Sequence, residues 1–252
     1  MTFASLQPLA DRAALFAALR QDALSEALDS LGEHRWDADM AAGTLSFSST
    51  TDPSRILETR PHLIATIAPG PRSMLWAWAH PQGDAQGVAA QLRDYGAQYS
   101  LDELTQAELA FPEDAPANGD ELGAWIADTA HQIGRIAVEI TGRSPYYSAP
   151  IGGGTRAVFL LDAPVPPTTV AEAVTKMPRL LAGLELSDAR GSVWDAARLA
   201  GWNMQWTDEE FTGATVSDAS GSATFRFDDQ ARITNIEGAL GGGAAESAAV
   251  PS

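Results

Sequence analysis

Trp76 and Trp78, alternating with Ala77 and Ala79 ahead of His80 and Pro81, form the least ordinary stretch of this sequence. Read as a strand over Ser73–Ala79, the segment puts both indoles on one face and the small alanines on the other. Two such rings, each with one N–H, can line a pocket or a partner surface. The plainer alternative is that they bury a sheet beneath a helix, with the alanines letting a second layer approach. Trp36 on an earlier strand is a further wall of the same kind, and His80 or Asp39 would supply the polar contact. The candidate binding residues are therefore Trp36, Asp39, Trp76, Trp78 and His80.

Other chemistries find little support. Ile151-Gly152-Gly153-Gly154-Thr155 could offer backbone N–H groups to an anion, but it lacks the Lys-Ser/Thr ending of a P-loop and precedes a strand, so it reads as a hairpin loop. The histidines, His34, His62, His80 and His131, are dispersed, and none has a second ligand at a metal-binding spacing. There is no cysteine, which removes disulfides, thiolate metal sites and thiol nucleophiles. No serine occupies a Gly-x-Ser-x-Gly elbow. The pairs Asp37/Asp39, Glu209/Glu210 and Asp228/Asp229 read as solvated turns and strand ends. No catalytic residue, metal ligand or cofactor is assigned.

The charge balance narrows the partners. Sixteen basic against 33 acidic residues give a formal net charge of -17, and Lys176 is the single lysine. That field repels phosphate backbones and anionic lipid, so neither nucleic acid nor membrane is an expected partner. Surplus acid keeps a protein soluble, and it also attracts a basic protein partner. No basic leader precedes an apolar run, and no stretch nears the roughly 20 apolar residues of a membrane span. A cytoplasmic location is the expectation.

The elements that must position these residues read as follows. Residues 9–31 carry an apolar stripe through Phe16, Leu19, Leu24 and Leu28 and stop at Gly32. Short strands follow at His34–Met40, Thr44–Ser49, Leu63–Ala68 and Ser73–Ala79, with Pro69-Gly70-Pro71 as a turn, in an antiparallel meander. Asp84 caps a helix bearing Val88, Leu92 and Tyr95, and Leu101–Phe111 extends the helical region. Asn118 and Glu121 form a capping box that opens the strongest helix, with Leu122, Ile126, Ile133 and Ile136 on one face up to Gly142. Tyr146-Tyr147 and Ala157–Leu161 are strands, and the proline-rich Asp162–Thr169 is a linker. Beyond it come a helix over Val170–Leu184 broken near Pro178, a short helix opened by Ser192 and Asp195, and strands at Trp202–Trp206, Ala223–Phe227 and Arg232–Ile236. The Gly241–Ser252 tail has little to pack and should be flexible.

The run Trp76-Ala77-Trp78-Ala79-His80-Pro81, with Trp36-Asp37 before it and Tyr95-Gly96 and Leu101 after it, resembles an uncharacterised bacterial domain family that carries a W-x-W-A-[N/H]-P strand. The likeness covers about residues 9–162 and implies no activity, since that family has none assigned. His80 stands where the family more often has Asn. Residues 168–240 look similar to the end of a cone-shaped α+β ligand-binding fold of the nuclear-transport-factor type.

The fold class is therefore α+β, with antiparallel sheets packed against amphipathic helices in two lobes, 1–162 and 168–240, followed by a tail at 241–252. The leading expectation for function is a non-enzymatic binding protein with a protein partner. The alternative is a small-molecule-binding protein or enzyme with an apolar pocket lined by Trp residues. A cavity of about 300 Å³ or more with the candidate side chains converging on it favours the alternative. Trp76 and Trp78 fully packed, with no cavity, would remove it.

Overall fold

The apolar stripe of the first helix forms as the spacing predicts. α1 runs Gln7–Asp29 with Pro8 in its first turn, where a missing N–H costs nothing, and buries Leu9, Ala13, Phe16, Leu19 and Leu24. The computed structural model describes residues 3–240, so the Gly241–Ser252 tail lies outside the described residues. The architecture is α+β with antiparallel sheets, and the chain divides into two compact units between Pro166 and Pro167.

In the first unit, β1 (His34–Asp39), β2 (Thr44–Ser49) and β3 (Ile56–Ala68) form a meander. β3 begins seven residues earlier than the sequence pattern suggests. Its first part, Ile56–Arg60, is largely solvent-facing and lacks the apolar run that marks the rest. β4 (Ser73–Trp76) pairs with the end of β3 and with β5 (Glu108–Ala110). β6 (Tyr146–Gly152) and β7 (Thr155–Asp162) make the glycine-turned hairpin, and β7 pairs along β3 from Arg60 to Ile67. The path β1-β2-β3-β7-β6 thus ends in two strands, β1 and β6, that each have one partner among the described residues. The sheet curls until these ends meet through side chains: the Trp36 and Tyr147 rings pack edge to face at 6.1 Å, and Phe47 and Tyr147 at 5.0 Å.

The interior of the curl is apolar. Leu45, Phe47, Ala149, Ala157, Phe159 and Leu161 are buried together there, with Leu24 and Leu31 from the end of α1 and its following turn. The opposite face of the sheet is covered by α4 (Gly119–Thr141), which packs on β3, β6 and β7 and against α1 and α2 (Val88–Tyr99). Gly134 lets this happen at close range, because a Cβ there would sit 2.5 Å from the Tyr146 ring.

Several local expectations are corrected. Asp84 does not cap α2: its carboxylate accepts the Gln86 N–H at 2.9 Å in a turn of its own, and Gly87 is the N-cap. Asn118 is the N-cap of α4, but its side chain makes no capping bond. The Leu101–Phe111 region is one helical turn, α3 (Asp102–Thr105), followed by β5, since an apolar run that short does not fix its own period. The expected strand over Ser73–Ala79 stops at Trp76 and continues as a 3-10 turn.

The second unit opens with α5 (Val170–Leu181), which continues through Pro178, and α6 (Ala189–Ala200). Asp188, and neither Ser192 nor Asp195, caps α6, accepting from Gly191 N at 3.0 Å. The sheet is a four-stranded meander of β8 (Asn203–Trp206), β9 (Gly213–Asp218), β10 (Gly221–Phe227) and β11 (Ile233–Leu240). β9 escapes sequence inspection because Val216 is its one large apolar residue.

The first turn of α5 is held by three acceptors. Val170 N donates to Asp218, Ala171 N to Ser220, and Glu172 N to Thr169, whose own N–H is accepted by Glu172 in a reciprocal capping box. Thr169→Ala should cost about 1 kcal/mol. Chemical denaturation of the full chain, with hydrogen exchange at Glu172, will show it. Unchanged stability and protection would mean that the Asp218 and Ser220 contacts hold the turn alone.

Candidate functional site

A β-bulge builds one wall of a cavity in the first unit. Leu63 pairs with Phe159 and Thr66 with Ala157, while the register shifts between Leu63 and Ala65. The extra residue, Ile64, brings Leu63 and Thr66 onto the same face although they are three apart, beside Phe159 and Ala157. Opposite them stands β1, with Trp36 and Ala38 facing inward and paired with Phe47 and Leu45 of β2. The space between is about 410 Å³, lined by Trp36 and Ala38 on one side, by Leu63, Thr66, Ala157 and Phe159 on the other, and by Asp37, Met40, His80, Gln82 and Ile151. It continues the apolar interior of the curl to its mouth, where Asp37, Met40, Gln82 and Ile151 are exposed.

Trp36, Asp37 and Ala38 border the cavity as three consecutive residues. Side chains of a strand alternate between faces, so Trp36 and Ala38 turn inward while Asp37 borders the cavity at its mouth. Among the described residues β1 has a single strand partner.

The remaining wall comes from the Trp76–Pro81 motif, which acts as an anchored turn. Trp76 is fully buried. Its Nε1 donates to Glu103 O at 2.8 Å and its backbone N–H to Ala107 O at 3.1 Å. From that anchor the chain enters the 3-10 turn, where His80 N donates to Ala77 O at 3.2 Å and Gly83 N to His80 O at 2.8 Å. Gln82 N donates to His80 Nδ1 at 3.0 Å. This bond makes Nδ1 an acceptor and leaves the proton of the neutral ring on Nε2. The motif thus carries His80 and Gln82 to the cavity.

The five sequence candidates separate accordingly. Trp36 and His80 line the cavity. Trp76 belongs to the core, because the strand ends at it and the turn directs the following residues elsewhere. Trp78 does not share its face: it is half-buried with the Arg93 guanidinium over its ring at 5.7 Å, and its buried Nε1 has no hydrogen-bond partner among the described residues. Asp39 holds the β1–β2 turn, accepting from Ala41 N and Ala42 N at 2.9 Å each. The acid at the cavity is its neighbour Asp37. Leu63, Phe159, Ile151 and Asp37 carry no sequence signal of a shared site, since the curl that gathers them joins strands far apart in the chain.

Two other polar clusters have structural explanations. Asp162 accepts from Arg143 at 2.7 Å and contacts His62 Nε2 at 2.8 Å. Burial alone would raise the Asp162 carboxyl, but these two partners outweigh it and hold the group below the usual carboxylate range. On the helix side of β6, His131 Nδ1 and the Tyr146 hydroxyl lie 3.0 Å apart. Burial, reinforced by Arg156 and Arg135, lowers the His131 pKa, and burial pushes the Tyr146 phenol up to about 12. Among the described residues no group of three or more His, Cys, Asp or Glu side chains could hold a metal ion, and no helix is long and apolar enough to cross a membrane.

Fold and site together define an α+β domain whose curled antiparallel sheet ends in an aromatic-walled cavity, with a Trp-anchored turn at its rim. The chain belongs to the family of unknown function DUF6882, whose pattern matches residues 7–164. That span contains every residue of the cavity and ends near the boundary between the two units. No curated protein and no solved structure matches the chain.

Proposed function

We propose that residues 7–164 form a non-enzymatic binding domain for one small, mostly apolar organic molecule. The observation that carries this reading is the cavity of about 410 Å³ between β1 and the β3–β7 wall, within the size range of small-molecule sites. Its composition supports it too. Trp36, Leu63, Phe159 and Ala157 supply apolar surface, and Thr66, His80 and Gln82 supply a few directional polar groups. The other expectation, a protein partner on the Trp76/Trp78 segment, has less support, because Trp76 is fully buried and Trp78 half-buried.

A neutral fluorescent probe, N-phenyl-1-naphthylamine, tests the proposal. Saturable one-to-one binding is expected. Trp36→Ala should weaken it about tenfold or more, the scale on which a buried Trp contact acts. Thr66→Phe, which adds volume on the same wall, should do the same without removing the Trp36–Tyr147 contact. Binding that does not saturate, or that ignores both substitutions in folded protein, would end the proposal.

A further inference from the structure

Among the described residues, Asp37 is the one Asp, Glu, Arg or Lys that lines the cavity. Its carboxylate is exposed and makes no ion pair or side-chain hydrogen bond among the described residues. Asp39 in the β1–β2 turn, Asp84 in the turn before α2 and Asp162 at the end of β7, by contrast, each hold hydrogen bonds, Asp162 with Arg143 and His62. Arg35, which alternation places on the same face of β1, makes no ion pair with Asp37.

We propose that the ligand is an amphipathic amine, with its apolar body against Trp36, Leu63 and Phe159 and its ammonium group at the mouth beside Asp37. This rests on the cavity reading above and adds the charge of the ligand. The pieces agree in sign. A carboxylate with no partner among the described residues attracts a cation, and a chain of formal charge -17 draws cations toward it and repels anions. Asp37 lies on the outward side of the edge strand while Trp36 faces inward. The ligand must therefore be apolar at one end and charged at the other.

The test uses three probes of one shape and different charge: 4-phenylbutylamine, 4-phenylbutan-1-ol and 4-phenylbutanoate, each titrated against the full chain by NMR. The amine is expected to bind about two- to fivefold more tightly than the alcohol, the scale of one exposed charge pair. The carboxylate should bind more weakly than the alcohol. Asp37→Asn should bring the amine down to the level of the alcohol and leave the alcohol unchanged. Raising the salt concentration should narrow the amine's advantage. Equal binding of all three probes, or a preference for the carboxylate, overturns the amine assignment while the cavity reading stands. Failure of all three to produce saturable shifts that Trp36→Ala abolishes overturns both.

Discussion

Trp76→Ala is expected to lower the unfolding free energy by about 3–5 kcal/mol, the range for deleting a large aromatic side chain from a packed core. Trp76 is fully buried at the junction of β4 and the 3-10 turn. Truncation there removes packing and also orphans the Glu103 carbonyl that accepts from Nε1. Trp76→Phe separates the two effects. It keeps most of the apolar area but leaves that carbonyl unsatisfied, so about 1–3 kcal/mol should still be lost.

Trp78 sets the contrast. Its Nε1 is buried without a partner among the described residues, and one side of its ring faces Arg93. Trp78→Phe keeps an aromatic face for the guanidinium and removes an unpaired N–H, so the change should be within about 0.5 kcal/mol of neutral. Urea denaturation of the three variants measures all of this. Equal losses for Trp76→Phe and Trp78→Phe would mean that the two tryptophans are equivalent core residues and that the anchor role assigned to Trp76 is wrong.

The same pair shows where sequence reading works here and where it stops. Alternation in Trp76-Ala77-Trp78-Ala79 is a local pattern, and it suggests a strand. The outcome was decided by non-local contacts: Trp76 is fixed to the α3–β5 segment, and the Ala77 carbonyl is claimed by His80. α1 and α4 were legible because some six turns of helical periodicity over 23 residues outweigh any single contact. The β6–β7 hairpin was legible because three consecutive glycines with positive φ make a turn that few other residues allow. Caps were less legible. Asp84, Asn118 and Ser192 all have the right side chains, but an Asp that bonds its own turn, or a Ser one turn inside a helix, looks the same in sequence. The cavity was legible only at Trp36 and His80. Its other walls depend on a bulge at Ile64 and on the curl that brings β1 over β7. Neither leaves a local trace.

Gly83→Ala is expected to disable the site. A Cβ at this position would lie 1.8 Å from the Ala77 carbonyl oxygen and 2.8 Å from its carbon. Both atoms are backbone, so no side-chain rotation relieves the overlap and the Ala77–Gly83 turn must open. Opening it breaks the Gly83 N–H bond to His80 O and frees Gln82 from His80 Nδ1. The two residues that the motif delivers to the cavity are then released together.

The stability cost should be about 1–3 kcal/mol, as for other enforced backbone shifts. The effect on probe binding should exceed that of Gln82→Ala, which removes one lining side chain and leaves the turn intact. Gly43→Ala is the matching control: its φ of +69° makes alanine unfavourable there, but a Cβ would meet nothing within 4 Å. It should cost about 1 kcal/mol and leave binding unchanged. Probe titration and denaturation of the three variants decide the point. If Gly83→Ala binds like the parent while Gly43→Ala behaves as stated, the turn does not position the site. The Trp-x-Trp-Ala-His-Pro motif would then serve the core alone.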